Sequence, residues 1–481
     1  MSPHIVKPSD LSRRDLLKRV GLGSLALAAT PLVSSCVVES GGASGSGGSA
    51  ADDVNGAFDW KRAKGTTIKI LQTNHPYQQA YTSLLKDFTE LTGIEVEPEL
   101  IDEANYFTKL NTELAGGAGT HDVFMTGAYF IWQYGPPGWM ENLTPWLQNS
   151  SATSQEYDFE DIFPGLRTAT RWDFKSSQLG SGGQWAIPWG FETNVVAYNK
   201  KLFASRGIRP AETLSDFVQL AKDLTKPDRS QYGVAFRGSK SWGTIHPGFM
   251  TMFAREGLKD YVDESGKLTA AMNSPGAIKF TQTWVDLAKS AGPAGWTTYG
   301  APQCTTDLGN GVAAMVFDAD SATYPINKKG GSKLAGSIGW HPGPKGRDGS
   351  LATNLWTWSL AMNSASKNKL AAWLFIQWAT SKQPMIDAIR GVAAGGPGAF
   401  ADPPRQSVFN STFKQTLGDF TGYLDTFEAV IDSTKIQFSP QKHFFDTTES
   451  WAAALQQVYG GADAKNTLDD LAKANTSAVN A

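Results

Sequence analysis

The chain has 481 residues, of which 41% are hydrophobic and 19% are charged, and its formal net charge is −3. This composition is that of a globular protein with more than one domain or lobe, and it gives no support for a nucleic-acid partner or a polybasic membrane-binding surface. The chain also has 16 Trp, 13 Tyr and 25 Phe residues. They fit either a large aromatic core or an aromatic-lined cleft.

The first 35 residues have the features of a lipoprotein signal peptide. A twin-arginine motif, "SRRDLLK", occupies residues 12–18, and an apolar run too short to span a bilayer follows at residues 20–33. The segment "VSSC" then ends at Cys36 in the manner of a bacterial lipobox. We therefore expect export by the twin-arginine pathway, removal of residues 1–35, and a lipid on Cys36 that anchors the protein outside the cytoplasmic membrane.

Only Cys304 remains once Cys36 is acylated. No intrachain disulfide is then possible, and Cys304 is predicted to be a structural thiol. Residues 36–57 are rich in Gly and Ser and are predicted to form a flexible linker behind the lipid.

Strands and helices are predicted to alternate after the linker. Strand patterns occupy residues 66–71, 94–100 and "HDVFMTG", with helical spacing at residues 77–92, ending at Gly93, and at residues 104–114. This β-α-β-α-β order predicts a parallel sheet covered by helices. Further helices are predicted at residues 213–226, 274–290 and 367–380, and residues 413–433 and 448–473 are predicted to be mostly helical.

Motifs for catalysis or cofactor binding are few. The sequence has no G-x-S-x-G, P-loop, H-E-x-x-H or C-x-x-C motif, and its six histidines are scattered. We therefore expect no metal and no cofactor. A pair of carboxylates for glycoside hydrolysis stays open, with Glu192 and Asp318 as acid and base, because such pairs converge in space rather than in sequence.

Aromatic and polar residues cluster where the predicted strands end. In open parallel sheets, ligands bind beyond the carboxyl ends of strands. Aromatic faces together with carboxylates, amides and guanidinium groups suit a carbohydrate. Each cluster has core packing as its alternative, since Trp in a strand is usually buried. The candidate ligand-binding residues at these strand ends are His75, Tyr129, Trp132, Glu192, Asn194, Arg237, Trp242, Asp318, Asp320, Trp356 and Trp358.

Several segments together resemble the family 1 extracellular solute-binding proteins of ABC importers. They are "LLKDFTELTGIEVE", "HDVFMTGAYF", "ENLTPWL", "WAIPWGFETNVVAYNKKLF", "GVAAMVFDAD" and "TNLWTWSLAMNSASKNKLAAWLFIQWATS". By position in these motifs, the resemblance places His75, Tyr129, Glu192 and Asp318 at ligand contacts. The stretch "GGPGAFADPPRQSVF" is similar to the polyol and monosaccharide branch, which adds Arg405 as a candidate.

The resemblance implies an α/β, two-lobed periplasmic-binding-protein-like fold with parallel-rich sheets flanked by helices. Hinge strands join the lobes, and a ligand cleft lies between them. Residues 58–191 with 357–400 are predicted to form the first lobe, and residues 192–356 with 401–481 the second.

The implied function is capture of a carbohydrate, either a polyol, a monosaccharide or a small oligosaccharide. The lobes would close around it, and the protein, expected to be a monomer, would deliver it unaltered to the permease of an ABC importer. An exported glycoside hydrolase is the alternative, and a binding protein that signals to a sensor is a third interpretation.

Overall fold

The computed structural model describes residues 49–396, 399, 402–417 and 420–481. These described residues form one compact unit by their internal contacts. The predicted signal peptide, Cys36 and most of the Gly/Ser-rich linker lie outside the described residues. Among the helices that are described, none combines the length and the apolar character needed to cross a bilayer.

Two main sheets carry the fold. Their nine strands within the described residues are, in chain order, β1 (Thr67–Thr73), β2 (Glu95–Ile101), β3 (Val123–Thr126), β4 (Ile187–Glu192), β5 (Asn194–Asn199), β6 (Tyr232–Ala235), β7 (Ala313–Ala319), β8 (Ile338–His341) and β9 (Trp356–Met362). The first sheet has the order β2-β1-β3-β9-β4, and the second has the order β8-β5-β7-β6. We call the halves built on these sheets the first and the second lobe.

The first sheet is mixed. Strand β1 runs parallel to both β2 and β3, as the β-α-β-α-β pattern predicted. Strand β9 returns much later in the chain and pairs antiparallel with β3 and β4. In the second sheet, β7 is parallel to β6 and antiparallel to β5. Both sheets therefore contain the parallel pairs expected of an α/β fold.

Helices flank both sheets. The α-helices of five residues or more in the described part are Pro76–Thr82, Leu85–Thr92, Glu103–Gly116, Ala128–Tyr134, Thr144–Gln148, Pro164–Ala169, Lys200–Arg206, Leu214–Asp223, Met250–Arg255, Pro275–Ala291, Ala301–Asn310, Asp320–Asn327, Lys369–Ala379, Lys382–Ala393, Tyr423–Val430, Phe444–Tyr459 and Ala464–Val479. Short two- and three-stranded sheets lie at residues 171–184, 261–270, and 353–354 paired with 434–435.

The predicted helix at residues 77–92 is wrong in one respect, because the structure divides it into two helices. The first packs Tyr77 and Tyr81 against Trp189, with ring centroids 4.9 and 4.7 Å apart. The second packs Phe88 against the ring of Trp378 at 5.2 Å. The two helices thus pack their aromatic side chains against different tryptophans, and the break between them allows each helix its own direction. The predicted end at Gly93 is confirmed, since that glycine has φ 69°.

A single residue, Thr193, separates β4 in the first sheet from β5 in the second. Its backbone N–H and its hydroxyl donate to the carboxyl group of Asp320 at 3.2 and 2.6 Å. Next to it, Phe191 and Asp402 exchange backbone hydrogen bonds of 3.0 and 2.9 Å. The Tyr423 hydroxyl lies 3.0 Å from the carboxyl of Asp320 and 2.7 Å from that of Asp402. Asp320 therefore fastens the crossing between the lobes.

Candidate ligand-binding site

A cavity of about 300 Å³ lies where the two lobes meet. The first lobe supplies polar and aromatic side chains to its wall, and the second lobe supplies a guanidinium group, rings and a hydroxyl. The lining residues that carry the chemistry are His75, Glu103, Glu192, Arg237, Trp242, His246, Ser321, Trp356 and Trp358. Apolar surface between a few polar groups is typical of small-molecule sites, and this volume is at the low end of their usual range of roughly 300–1,000 Å³.

Three tryptophans form the aromatic wall of the cavity. The rings of Trp242 and Trp356 lie 5.0 Å apart at 36°, and Trp358 stands edge-on to Trp356 at 5.0 Å. Gly127 permits this arrangement, because a Cβ atom there would come within 2.1 Å of the Trp356 ring. Flat apolar faces of this kind pack well against the C–H faces of a hydroxylated carbon chain.

Glu192 is the last residue of β4 and is only 5% exposed. Its Oε1 accepts a hydrogen bond of 3.0 Å from Nε1 of Trp358. Burial raises the pKa of Glu192 to about 7, although the Ser321 hydroxyl, the Trp358 N–H and the charge of Arg237 act in the opposite direction. The carboxyl group is therefore protonated below about neutral pH, where it can donate a hydrogen bond, and ionised above it, where it only accepts.

Arg237 lines the cavity from the second lobe and is held by Asp318. Its Nε lies 2.9 and 3.1 Å from the two carboxylate oxygens, and Nη2 donates to Oδ1 at 2.6 Å. A longer bond of 3.3 Å joins Nη1 to the carbonyl of Gly243. Burial opposes the charge of Arg237, but Asp318 more than offsets it and raises the pKa. The guanidinium group is thus rigidly placed, with N–H donors left for ligand hydroxyls.

Two histidines beside the cavity are uncharged at neutral pH. Burial, with the nearby charge of Arg237, lowers the pKa of His75 to about 4 and that of His246 well below its usual value. Nδ1 of His75 accepts from the backbone N–H of Tyr77 at 3.2 Å, so the hydrogen-bond pattern assigns the ring proton to Nε2. His75 then offers one neutral donor, and its ring packs 4.8 Å from Trp358.

Six predicted contacts line the cavity, and six lie elsewhere. His75, Glu192, Arg237, Trp242, Trp356 and Trp358 are brought together in its wall. Tyr129, Trp132, Asn194, Asp318, Asp320 and Arg405 are buried outside the lining, and the structure gives each another role.

Tyr129 and Asn194 stabilise the segment that leads into β9. The Tyr129 hydroxyl donates to the carbonyl of Leu355 and accepts from Nδ2 of Asn354 at 2.9 Å. Nδ2 of Asn194 donates to the carbonyl of Asn354 at 2.7 Å. Trp132 packs against Tyr129 with ring centroids 5.6 Å apart. These side chains shape the site from behind its wall.

Asp318 positions Arg237, and Asp320 fastens the hinge. Arg405 differs from its prediction most strongly, because it is fully buried against residues of the first lobe. Its guanidinium group donates to the carbonyls of Thr380, Asp158 and Tyr157 at 2.6, 2.8 and 2.8 Å. These bonds use the side chain for structure and leave it outside the cavity.

Sequence reasoning missed Glu103, His246 and Ser321. Glu103 follows the end of β2 by two residues, so the strand-end rule applied elsewhere would have selected it. Ser321 follows β7 by two residues and had the same signal. His246 lies in an irregular helical turn, Ile245–Phe249, which has no periodic pattern that marks it.

Cys304 is buried and unpaired, and burial raises the pKa of its thiol well above the usual value. Such a thiol is unreactive. Among the residues that the structure describes, no three His, Cys, Asp or Glu side chains are grouped to hold a metal ion.

A two-sheet protein with a polar, aromatic cavity between its halves has known relatives. The model of the family described as bacterial extracellular solute-binding protein matches residues 72–386. The chain belongs to this family. An erythritol/L-threitol-binding protein of Mycolicibacterium smegmatis is 60% identical to this solute-binding protein over 472 residues, which cover 98% of this chain and 97% of the relative.

Solved structures show the same two-lobed fold. The ABC transporter solute-binding protein of Agrobacterium radiobacter K84, crystallised with ribitol, has a TM-score of 0.74 and 24% identity over 86% of this chain and 99% of that one. A solute-binding protein of Agrobacterium vitis S4 with bound D-mannitol has a TM-score of 0.69 and 25% identity, and the match covers 86% and 98% of the two chains. The predicted periplasmic-binding-protein-like fold is thereby confirmed.

Proposed function

We propose that this solute-binding protein captures a short polyol, with a four-carbon tetritol as the first candidate, and delivers it to the permease of an ABC importer. The observation that carries the proposal is the 60% identity to an erythritol/L-threitol-binding protein over nearly the full length of both chains. The cavity of about 300 Å³ has room for a short polyol.

The lining supports recognition of vicinal hydroxyl groups. Arg237 supplies fixed donors, His75 supplies a neutral donor, and Glu192 accepts or donates according to its protonation. The rings of Trp242 and Trp356 lie beside these groups and suit the C–H faces of the carbon chain. An open-chain polyol presents both hydroxyl groups and C–H groups along its whole length.

Capture follows from the placement of the lining groups on two lobes. A ligand that first binds one lobe makes additional contacts when the other approaches, so its binding favours the closed form. The short crossing at Thr193 and the segment that leads into β9 connect the lobes. The lobe boundaries, first lobe 58–191 with 357–400 and second lobe 192–356 with 401–481, remain part of this proposal.

Binding without turnover is favoured over glycoside hydrolysis. The alternative requires Glu192 and Asp318 as acid and base on either side of a scissile bond. Asp318 instead spends both carboxylate oxygens on Arg237 and does not line the cavity. A carboxylate held in this way cannot approach a sugar or a water molecule there.

Equilibrium binding tests the proposal. We expect erythritol or L-threitol to bind the mature protein by calorimetric titration, more tightly than D-mannitol or maltose. A tetritol at about 100 times its Kd would stabilise the folded state by about 2.7 kcal/mol, which a thermal-shift measurement detects. The polyol should be recovered chemically unaltered. Absence of binding to every polyol tested, or recovery of a cleaved sugar, would contradict the proposal.

Export and anchoring belong to the same proposal. The extracellular family agrees with a location outside the cytoplasm, and the motifs at residues 12–18 and at Cys36 support twin-arginine export and lipidation. Cys36→Ala is expected to move the protein from the membrane fraction to the soluble fraction. An unchanged membrane fraction would argue against the lipid anchor.

A further inference from the structure

Two buried aspartates, Asp320 and Asp402, lie side by side behind the ligand cavity, and neither lines it. A hydrogen bond joins their carboxyl groups. A carboxylate ion only accepts hydrogen bonds, so this bond requires a proton on one of the two groups. Two carboxyl groups that share a buried site do not both ionise readily. The surroundings of each aspartate indicate which one carries the proton.

Asp320 is surrounded by donors. Its Oδ1 accepts from the backbone N–H groups of Ser321 at 2.7 Å and Thr193 at 3.2 Å, and its Oδ2 accepts from the Thr193 hydroxyl at 2.6 Å. The Tyr423 hydroxyl lies 3.0 Å from Oδ2. These hydrogen bonds oppose the effect of burial on the pKa of Asp320. Asp320 is therefore suited to carry the negative charge.

Asp402 has different surroundings. Its Oδ1 lies 2.7 Å from the hydroxyls of Tyr324 and Tyr423, and no N–H or hydroxyl group of the described residues donates to its Oδ2. Burial and the charges of Asp320 and Glu192 all raise the pKa of Asp402. Within the described residues, the titratable groups that face it are these two carboxyl groups and the two tyrosines. An ionised carboxylate in this place would be costly, so the proton belongs on Asp402.

The pair joins two segments of the chain at the crossing between the lobes. Asp402 exchanges backbone hydrogen bonds of 3.0 and 2.9 Å with Phe191 in β4. The backbone N–H of Asp320 donates to the carbonyl of Thr193 at 2.9 Å. The hydrogen bond between the carboxyl groups therefore completes a closed ring of contacts around the crossing from β4 to β5.

Two residues that line the cavity belong to this ring. Glu192 lies between Phe191 and Thr193 in the chain, and Ser321 directly follows Asp320. The Ser321 hydroxyl also makes a hydrogen bond to Glu192. Hydrogen bonds weaken steeply when their distance or angle changes, so a displaced crossing would weaken the contacts of both groups with a ligand.

We propose that Asp402 carries a proton in the folded protein, donates it to ionised Asp320, and thereby positions Glu192 and Ser321 for the ligand. The inference rests on the proposed function and adds to it a positioning residue that lies outside the cavity wall. Asp402 acts on the ligand through the crossing and through the two residues that the crossing carries.

Substitutions of the two aspartates test the position of the proton, with Kd for erythritol measured by calorimetric titration at pH 7. Asp402→Asn supplies an amide N–H in place of the acid O–H and should leave Kd within about threefold of the wild-type value. Asp402→Ala removes the bond and should raise Kd at least about tenfold. Asp320→Asn places an amide group among the donors of Thr193 and Ser321 and should also raise Kd at least about tenfold. Circular dichroism checks that each variant is folded.

The pH dependence of stability gives a second readout, which needs only the wild type and Asp402→Asn. In the wild type, the folded state keeps a proton that the unfolded state releases above the ordinary pKa of 3.8. The free energy of unfolding of the wild type minus that of Asp402→Asn should therefore decrease as the pH rises from 4.5 to 7. An aspartate that is ionised in the folded protein would give no such decrease.

The outcomes separate this inference from the proposed function. A wild-type protein that binds no polyol would overturn the proposed function and the positioning role, while the pH measurement would still test the proton. If the wild type binds erythritol, an Asp402→Asn variant as weak as Asp402→Ala would overturn the inference, because Asp402 would then have to be ionised. Wild-type affinity in Asp402→Ala or in Asp320→Asn would also contradict it, as would a stability difference that does not decrease with pH.

Discussion

Replacement of Arg237 by methionine is expected to lower the free energy of unfolding by about 3–5 kcal/mol. Asp318 is 1% exposed, and the guanidinium group of Arg237 is the cation that compensates its charge. Without it, the carboxylate stays buried and uncompensated or takes up a proton. The same change removes donors from the cavity wall, so polyol binding should also be lost. Chemical denaturation and calorimetric titration at one temperature measure the two effects.

A double variant separates stability from binding. Arg237→Met with Asp318→Leu removes both charges, and replacement of a buried ion pair by apolar side chains is often close to neutral for stability. We expect this variant to recover most of the lost free energy of unfolding without recovering polyol binding. A double variant that binds polyol as well as the wild type would show that Arg237 does not contact the ligand. One as unstable as Arg237→Met would contradict the account of the ion pair.

Stability is expected to fall as the pH rises through neutrality, and Glu192 is expected to account for about 3 kcal/mol of the fall. Its pKa is about 7 in the folded protein, against an ordinary value of 4.5. The folded state therefore binds more protons than the unfolded state between these values, so the free energy of unfolding decreases with pH over this interval. A shift of this size corresponds to about 3 kcal/mol.

Glu192→Gln tests this assignment, because glutamine keeps the shape and cannot ionise. The difference in unfolding free energy between the wild type and this variant should change by about 3 kcal/mol from pH 4.5 to pH 8. Asp320 and Asp402 are present in both proteins, and burial raises their pKa values in the same direction. Taking the difference between the two proteins therefore removes the pH dependence that is common to both. A difference that does not change with pH would show that Glu192 is not buried as the structure places it.

Glu113→Gln is a control of opposite sign. Burial opposes the charge of Glu113, but His121, whose Nδ1 lies 2.8 Å from Oε1, lowers the pKa of this carboxyl group. Its contribution to stability is present above the unfolded pKa and is lost as the pH falls. The difference in unfolding free energy between the wild type and Glu113→Gln should therefore decrease as the pH falls into the acid range. For Glu192→Gln, the same difference should decrease as the pH rises through neutrality.

The strand-end rule located much of the site from the sequence. His75 follows β1 and Glu192 ends β4, so both lie where the rule predicts ligand contacts. Trp356, predicted from its aromatic chemistry, begins β9, and it reaches the same edge because β9 runs antiparallel to β4. The rule gives position along the chain but not the direction of a side chain. Tyr129 satisfies it and yet donates to Leu355 behind the wall.

Pairing between distant residues could not be read from the sequence. Asp318 and Arg237 are 81 residues apart, and their ion pair follows from the adjacency of β7 and β6 in the second sheet. Arg405 was predicted from a resemblance to the polyol and monosaccharide branch, but three backbone carbonyls of the first lobe accept hydrogen bonds from it. Such partners depend on tertiary packing, which local patterns do not contain.

A crystal structure of the mature protein with erythritol tests the central claim most directly. We expect the tetritol between the two lobes, with its hydroxyl groups within hydrogen-bonding distance of Glu192 and Arg237 and its carbon chain against Trp356. The ligand should be chemically intact. A polyol bound on the outer surface of one lobe, with the cavity between the lobes holding only water, would contradict the account.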